Sequence, residues 1–291
     1  MLPTFIVIGS RKSGTSSLWR YLGDHPEVFV SDEKEPKYFV EERGSSLGQQ
    51  WYEGLFAGAG DAKARGELST DYTVFPVYAD VPARIKALIP DVRLIYFMRN
   101  PIDHLRSAYA YSLWIGTESR PIRDALLLDA RYLYECQYAL QIEQYLPHFP
   151  RSQLLLLRSE DLRNKRQEVL SQLFSFIGVD PDWIPTNIDE EFNSAEGRRA
   201  PRRWARTVGD VMIRSGLADH MPGSVERWLD RVNRGGLFAR QILPEELRID
   251  DDLQRRIVEY LRNDLERLRI LMGQSFDCWG LLNEESVGHG N

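Results

Sequence analysis

The amino-acid sequence predicts an α/β fold, with a parallel β-sheet flanked by helices on both faces and a helical C-terminal extension. Short apolar runs alternate with segments of helical periodicity over residues 1–185. The runs are rich in β-branched residues, as in strands that are buried on both faces. Beyond Pro185 the pattern changes to an arginine-rich loop and helices. We therefore expect a single domain over residues 1–291, with a core at 1–185 and an extension at 186–291.

The first strand and the first helix are predicted at the start of the chain. Residues 4–8 form an apolar, β-branched run that ends at Gly9. A helix begins near Thr15, because apolar residues recur at helical spacing up to the stop signal Asp24-His25-Pro26. Residues 28–30 form a brief strand candidate. Residues 35–66 are expected to be irregular, with short helices around 49–56.

The remaining strands continue the alternation. Residues 65–69 form a further strand candidate, and a helix at 76–89 is ended by Pro90. The run at 92–98 is the strongest strand after the first, and Pro101 suits the first position of a helix that reaches Trp114. A long helix at 132–145, a strand at 154–157 and a helix at 166–177 follow. A long helix near 251–272 belongs to the extension.

Composition excludes several classes of protein. The chain has 291 residues, with 37 Lys and Arg against 43 Asp and Glu, so its formal net charge is -6. Hydrophobic residues make up 43% and charged residues 27%, as in an ordinary globular protein. The acidic total argues against a general nucleic-acid binder. No apolar run approaches the roughly 18 residues that span a membrane, so we expect no integral membrane segment.

Cysteine and histidine usage indicates neither disulfides nor a metal site. Cys136 and Cys278 are too few for a disulfide framework, and five scattered histidines form no Cys/His cluster with zinc spacing. The apolar run at residues 5–8 is far too short for the core of a signal peptide. We therefore expect a reducing, cytoplasmic setting and no metal. The sequence does not indicate an oligomeric state.

A phosphate-binding loop is predicted between the first strand and the first helix. The segment Gly9-Ser-Arg-Lys-Ser-Gly14-Thr15-Ser16 has two glycines separated by four residues. This is the spacing of a P-loop, in which backbone N–H groups and a helix N-terminus bind a phosphate-like anion. Nucleotide kinases have a lysine directly after the second glycine, whereas this chain has Thr15 there and its lysine, Lys12, inside the loop. The predicted sheet is thus of the P-loop type.

A second difference from kinases concerns the metal. P-loop NTPases hold magnesium with an acidic residue near the end of a later apolar strand. Here the strand at 92–98 is followed by Arg99. A guanidinium in place of a carboxylate predicts a site that binds a nucleotide anion without requiring a metal. A P-loop nucleotide kinase is the alternative enzyme, and Thr15 and Arg99 disfavour it.

Four segments together carry a resemblance to a known family. They are Arg11-Lys-Ser-Gly-Thr-Ser-Ser-Leu18, Asp24-His-Pro-Glu-Val28 with Glu33-Lys-Glu-Pro-Lys-Tyr-Phe39, Arg99-Asn-Pro-Ile-Asp-His-Leu-Arg-Ser107, and Glu160-Asp-Leu162. In this order they resemble the sulfotransferases that use 3′-phosphoadenosine-5′-phosphosulfate (PAPS), most closely the heparan sulfate sulfotransferase branch and its bacterial relatives. The resemblance spans residues 5 to about 180. It implies transfer of a sulfuryl group from PAPS to a hydroxyl or amine of a glycan or small molecule, with adenosine 3′,5′-bisphosphate (PAP) as product.

The resemblance implies roles for individual residues. The residues that resemble the 5′-phosphosulfate-binding loop are Arg11, Lys12, Ser13, Gly14, Thr15, Ser16 and Ser17. Arg99 and Ser107 resemble the pair that binds the 3′-phosphate and distinguishes PAPS from ATP. Glu35 aligns with the glutamate proposed as general base, and Lys12 is expected to neutralise charge on the leaving oxygen. His104 is a second candidate for the base, although it lies inside a predicted helix.

Two positions depart from the branch. A catalytic lysine often follows a glutamate in the segment corresponding to 66–72, and this chain has Leu68 there. Lys37 stands where the branch often has histidine. The side chains of Lys37, Asp71 and Tyr72 are expected to line the acceptor site. A nucleotide-binding regulator without catalysis is a further alternative, and Leu68 is its only support.

An arginine-rich run follows the predicted core. The segment Arg198-Arg-Ala-Pro-Arg-Arg-Trp-Ala-Arg206 has five arginines in nine residues. Such a run is usually a solvated face. At the matching place in the family it would fold over the donor or receive an anionic acceptor, so Arg198 and Arg199 are candidate donor-binding residues. The identity of the acceptor does not follow from the donor motifs, because specificity belongs to the acceptor site.

Overall fold

The computed structural model describes residues 1–186, 188, 199–201 and 239–283. Its centre is a sheet of five strands, all parallel, with bounds β1 (Phe5–Gly9), β2 (Val28–Val30), β3 (Ala64–Leu68), β4 (Arg93–Met98) and β5 (Leu154–Arg158). The order across the sheet is β2-β3-β1-β4-β5. Two short strands, β6 (Arg199–Pro201) and β7 (Ala239–Gln241), form a separate antiparallel pair.

Helices lie between the strands and after them. The described α-helices are α1 (Thr15–Asp24), α2 (Glu41–Gly54), α3 (Val81–Leu88), α4 (Pro101–Trp114), α5 (Ile122–Leu128), α6 (Ala130–Tyr134), α7 (Tyr138–Glu143), α8 (Ser159–Asn164), α9 (Arg166–Ile177) and α10 (Asp251–Met272). Short 3₁₀ turns follow β3 at Thr70–Thr73 and α10 at Cys278–Gly280. Within the described residues, no helix is both long enough and apolar enough to cross a membrane.

Both faces of the sheet are buried. Along β1, Ile6 and Ile8 pack into one apolar cluster, whereas Phe5 and Val7 pack into another on the opposite face. This alternation follows from the two-residue period of a strand. Helices α1 and α9 cover the face of Phe5, and helices α4, α7 and α10 cover the face of Ile6. Helices on both faces of a parallel sheet confirm the predicted fold class.

The strand order reverses beside β1, because β2 and β3 lie on one side of it and β4 and β5 on the other. In open parallel sheets the loops at the carboxyl ends of the strands around such a point form a crevice that binds ligands. The loop between β1 and α1 and the segment between β4 and α4 both leave the sheet at this edge. The fold therefore brings the loop at residues 10–14 close to Arg99.

Three predicted elements differ from the structure. The long helix predicted at 132–145 is two helices, α6 and α7, because the carboxylate of Asp264 on α10 accepts the backbone N–H groups of Ala139 and Leu140 and so caps a new helix start. The helix predicted at 76–89 begins only at Val81, after Asp80 adopts a left-handed backbone with φ 59°. The short helices predicted at 49–56 are part of α2, which is kinked at Gly48.

Candidate active site

The loop between β1 and α1 has the backbone of an anion-binding turn. Gly14 precedes the first residue of α1 and has φ 89°, a conformation that favours glycine. Gly9 is required for a different reason, because a Cβ at this position would lie 2.0 Å from Thr73 Oγ1. The first N–H groups of a helix have no partner within the helix, so the N-terminus of α1 is suited to an anion. The loop is tied to β4 by Arg99, whose Nη1 donates to the carbonyl oxygen of Lys12 at 3.3 Å.

A cavity of about 980 Å³ opens at this loop. The predicted site residues that line it are Arg11, Lys12, Ser13, Gly14, Thr15, Ser16, Ser17, Glu35, Lys37, Asp71, Arg99 and Ser107. Such a volume lies at the upper end of the range of about 300–1,000 Å³ that is usual for ligand sites. The fold therefore brings the P-loop, Glu35 and the Arg99–Ser107 pair to one cavity, although they come from three separate segments.

Lys12 reaches across the cavity toward α4. Its Nζ lies 3.9 Å from the centroid of the Tyr111 ring. Tyr111 lies on α4, one helical turn after Ser107. An ammonium group at this distance is attracted by the face of the aromatic ring. This contact holds the only lysine of the loop over the cavity, beside the helix that carries Ser107.

Arg11 is held by two carboxylates from distant parts of the chain. Its Nε donates to Asp71 Oδ1 at 2.7 Å, and its Nη1 donates to Glu135 Oε1 at 2.9 Å. Burial opposes the charge of Arg11, but the attraction of Glu135 and Asp71 is stronger and raises its pKa. Burial would likewise raise the pKa of Asp71, yet Arg11 and Lys37 hold it below its ordinary value. Arg11 and Asp71 therefore stay charged at neutral pH, and the two ion pairs of Arg11 fix the loop to the turn after β3 and to the end of α6.

Glu35 and Lys37 lie in a turn around Pro36, with φ values of 59° and 55°. Residues other than glycine adopt this left-handed backbone rarely, so the turn needs support from its surroundings. The backbone N–H of Lys37 donates to Ser69 Oγ at 3.0 Å, and Lys37 Nζ lies 2.5 Å from Asp71 Oδ2 and 3.6 Å from Glu35 Oε2. These contacts place the Glu35 carboxylate on the cavity wall beside a cation.

A fully buried carboxylate, Glu67, lies behind this turn. Its Oε1 accepts the hydroxyls of Tyr52 at 2.6 Å and Tyr72 at 3.0 Å, and its Oε2 accepts the hydroxyl of Ser69 at 2.6 Å. Burial raises the pKa of Glu67 to about 7, although the three hydroxyl donors favour the ionised form. Because Ser69 also accepts the N–H of Lys37, Glu67 supports the turn that carries Glu35.

Several predicted residues lie away from the cavity. The side chain of Tyr72 is buried and its hydroxyl meets Glu67, so the structure does not place it on the cavity wall. His104 is fully buried, with its Nδ1 3.1 Å from the hydroxyl of Tyr138. Arg198 and most of the arginine run lie outside the described residues. The backbone of Arg199 pairs with Gln241 between β6 and β7. Among the residues that the structure describes, no group of three or more His, Cys, Asp or Glu side chains is arranged to hold a metal ion.

A comparison with protein families agrees with this geometry. The family model described as the sulfotransferase domain matches residues 2–201, which is more than half of the chain. The chain belongs to the sulfotransferase family.

Individual relatives agree on the family. This chain is 28% identical over 203 residues to the bifunctional heparan sulfate N-deacetylase/N-sulfotransferase 4 of Mus musculus, with 62% of this chain and 23% of that protein covered. It is 30% identical over 209 residues to the heparan sulfate glucosamine 3-O-sulfotransferase 3B1 of Homo sapiens, with 67% of this chain and 50% of that protein covered. The matched part of the chain thus spans 23% and 50% of the length of these two curated relatives.

A solved structure shows the same fold. The sulfotransferase from Alicyclobacillus acidocaldarius superposes with a TM-score of 0.67 at 22% identity, covering 96% of this chain and 99% of that one. At this identity the likeness shows the fold alone.

Two residues that line the cavity were not predicted from the sequence. Glu135, which binds Arg11, falls inside the helix predicted at 132–145, and nothing in its surroundings there distinguishes it. Tyr111, which lies under Lys12, has no signal beyond its place four residues after Ser107. Glu67 was not singled out either, because the strand candidate at 65–69 is mostly polar and does not indicate that this carboxylate is buried.

We expect Glu67 to make stability depend on pH. The folded-state pKa of about 7 lies above the ordinary value of 4.5, so between these values the folded protein holds a proton that the unfolded chain has lost. The free energy of unfolding therefore falls as pH rises through this window, by about 3 kcal/mol for this group alone. The Glu67→Gln variant keeps an acceptor oxygen but does not titrate. Relative to wild type it should gain stability between pH 5 and pH 8, measured by urea unfolding.

The control is Glu33→Gln, which changes an exposed carboxylate in the same part of the chain. The difference in the free energy of unfolding between Glu33→Gln and wild type should be the same at pH 5 and at pH 8. If the difference in the free energy of unfolding between wild type and Glu67→Gln does not change with pH, the buried carboxyl does not titrate in this window.

Proposed function

We propose that this sulfotransferase uses PAPS as its donor and transfers the sulfuryl group to a hydroxyl or amine of a glycan or small-molecule acceptor, releasing PAP. The proposal rests on one observation, that the P-loop and the Arg99–Ser107 pair line the same cavity. A nucleotide with phosphates at both its 5′ and 3′ positions needs two separate anion sites. The loop supplies one of them, and the end of β4 with α4 supplies the other.

The 5′-phosphosulfate would bind at the loop. The N-terminus of α1 offers N–H groups and the positive end of the helix dipole, and the hydroxyls of Thr15, Ser16 and Ser17 line the same cavity. Lys34 adds a cation, since its Nζ donates to Ser16 Oγ at 2.6 Å. The 3′-phosphate would bind Arg99 and Ser107, which distinguishes PAPS from ATP. Arg11 stabilises the loop through Asp71 and Glu135 instead of contacting the phosphates directly.

The chemistry we propose is an in-line displacement. Glu35 takes the proton of the acceptor hydroxyl or amine as its oxygen or nitrogen forms a bond to sulfur. The bond between sulfur and the bridging oxygen breaks on the opposite side, and PAP leaves with the electron pair. Lys12 stabilises the negative charge that develops on this bridging oxygen. Lys37, beside Glu35, is a further cation at the acceptor side.

The donor assignment is tested by nucleotide binding. We expect Arg99→Ala to weaken PAP binding about 10- to 100-fold, the scale of a lost charge-assisted hydrogen bond, as measured by isothermal titration calorimetry. Adenosine 5′-phosphate lacks the 3′-phosphate, so its affinity should be nearly the same in the variant and the wild type.

The matched control is Arg262→Ala, which removes an exposed arginine on α10 that pairs with Glu259. It should bind PAP as wild type does. Equal PAP affinity in Arg99→Ala and wild type would remove Arg99 from the 3′-phosphate site.

Catalysis is tested by transfer from labelled PAPS to a panel of glycans, alcohols, phenols and amines. Binding of PAP without transfer to any acceptor would favour the regulator, and binding of ATP with magnesium would favour the kinase.

A further inference from the structure

We propose that the acceptor of this sulfotransferase is a small molecule without negative charge that lays a ring against Tyr111. The inference rests on the proposed function, because it takes the Lys12 side of the cavity as the place where sulfur is transferred. It separates this chain from enzymes that sulfate polyanions. Heparan sulfate, the substrate in the names of the relatives, carries sulfate groups and is such a polyanion.

The first support is the position of an aromatic surface. Tyr111 lies under Lys12 Nζ, so its ring is adjacent to the group that would neutralise the leaving oxygen. The ring of Trp114 lies 5.6 Å from it, centroid to centroid, and Ile115 continues the same wall of the cavity. The side chains of Tyr111 and Ile115 are both exposed. An aromatic and apolar wall of this kind favours an acceptor with a planar or apolar ring face.

The second support is the charge of the wall beyond the loop, which we call the acceptor half of the cavity. It is formed by the turns at 35–37 and 70–73, by Arg11, and by four charged side chains farther along the chain, Glu118, Asp129, Arg131 and Glu135. Its five carboxylates are Glu35, Asp71, Glu118, Asp129 and Glu135. Its three cations are Arg11, Lys37 and Arg131. The described acceptor half therefore has a negative balance.

Each of these three cations already contacts a carboxylate. Arg11 is bound by Asp71 and Glu135, and Lys37 lies between Asp71 and Glu35. Arg131 Nη2 donates to Asp129 Oδ2 at 2.7 Å. A carboxylate or sulfate on the acceptor would have to displace one of these partners while facing the others. The described part of the acceptor half therefore repels an anionic acceptor.

The donor side has the opposite balance. Its cations are Lys12, Lys34, Arg99, Arg106, Arg163 and Arg166, and its carboxylates are Asp103 and Glu160. Glu118, at the far end of the acceptor half, remains ionised because Arg120 and two backbone N–H groups outweigh its burial and lower its pKa to about 2. The positive charge of the cavity is thus concentrated where the nucleotide binds, and it is not spread over the acceptor half.

Three phenols that share a 4-hydroxyphenyl ring and differ in the charged or neutral end of a short side chain test the inference. Tyrosol is neutral, tyramine is positive and 4-hydroxyphenylacetate is negative, and transfer to the phenolic oxygen that all three share is the reaction measured. We expect kcat/KM for tyrosol and tyramine to exceed that for 4-hydroxyphenylacetate by at least about tenfold at low ionic strength. The difference in kcat/KM should decrease as salt is added, because at 0.1 M salt screens interactions between charges more than about 10 Å apart.

Two variants connect the effect to the named residues. Asp129→Asn keeps the side-chain oxygen that caps α6 but frees Arg131 from its charge partner, so it should raise kcat/KM for the anionic phenol several-fold. Its control is Asp124→Asn, which changes an exposed aspartate on α5 away from the cavity.

Tyr111→Ala should raise KM for tyrosol while PAP affinity is unchanged, and Tyr111→Phe should retain the wild-type KM.

PAP binding is measured before any acceptor is added, so failure of the proposed donor is recognised separately. The inference is overturned if 4-hydroxyphenylacetate or a heparan sulfate oligosaccharide is an equal or better acceptor than tyrosol. It is also overturned if none of the three phenols is sulfated and none binds the protein–PAP complex in saturation-transfer NMR. Binding of tyrosol and tyramine in preference to the anion, without transfer, would support the charge and ring requirement of the site.

Discussion

The Lys12→Met variant should lower the turnover number with PAPS by about 10²–10³-fold, the loss that follows removal of one group stabilising transition-state charge. Methionine has similar length and polarisability and retains contact with the Tyr111 ring, but it lacks the ammonium group. PAP has no sulfuryl group, so its affinity should change less than about tenfold. The measurement is single-turnover transfer from labelled PAPS, with PAP affinity from calorimetry.

Lys86 supplies a matched control for this substitution. Its Nζ lies 5.2 Å from the centroid of the Phe149 ring, outside the cavity, so Lys86→Met removes a similar ammonium–aromatic contact without touching the site. It should keep wild-type turnover. Lys12→Arg should recover part of the activity, because it restores the charge with a different shape. If Lys12→Met and wild type turn over at equal rates, the developing charge is stabilised by another group.

The second large effect is expected for Glu35→Gln. An amide cannot accept the acceptor's proton, so turnover should fall by about 10² or more, while PAP affinity stays the same because Glu35 lies on the acceptor half. Glutamine has the same shape, so the turn around Pro36 and its contact with Ser69 should persist. The measurement is the rate of transfer to the best acceptor, with Glu33→Gln as the exposed control. Unchanged turnover in Glu35→Gln would remove it from the role of base.

Much of the candidate donor site could be predicted because its residues lie at or just after the ends of strands. The P-loop follows β1 directly and Arg99 follows β4 directly, and parallel strands release their loops at one edge of the sheet. Local spacing was therefore enough to bring Lys12, Arg99 and Ser107 to one place. The strands β1 and β4 were predictable for the same reason, since their apolar runs reflect burial on both faces.

The parts that could not be predicted depend on contacts between distant segments. Glu135 meets Arg11 across 124 positions of the chain, and no local pattern indicates that pairing. Asp264 on α10 caps α7 and so divides a helix whose periodicity is continuous in the sequence. Tertiary contacts outweighed local propensity in both cases. The positive φ values of Glu35 and Lys37 likewise depend on support from Ser69 and Asp71.

At position 67, fold stability and the proposed reaction favour different residues. Above pH 7 β3 contains an ionised carboxylate with no exposure to solvent, and a neutral glutamine there would avoid the cost of that buried charge. A glutamine has only one acceptor oxygen, so it would also weaken the acceptor set that receives the hydroxyls of Tyr52, Tyr72 and Ser69 and orients Ser69 beneath the turn of Glu35. Selection of variants for thermal resistance alone should therefore yield substitutions at position 67 that survive heating better and transfer sulfate more slowly. Selection for activity should keep the glutamate.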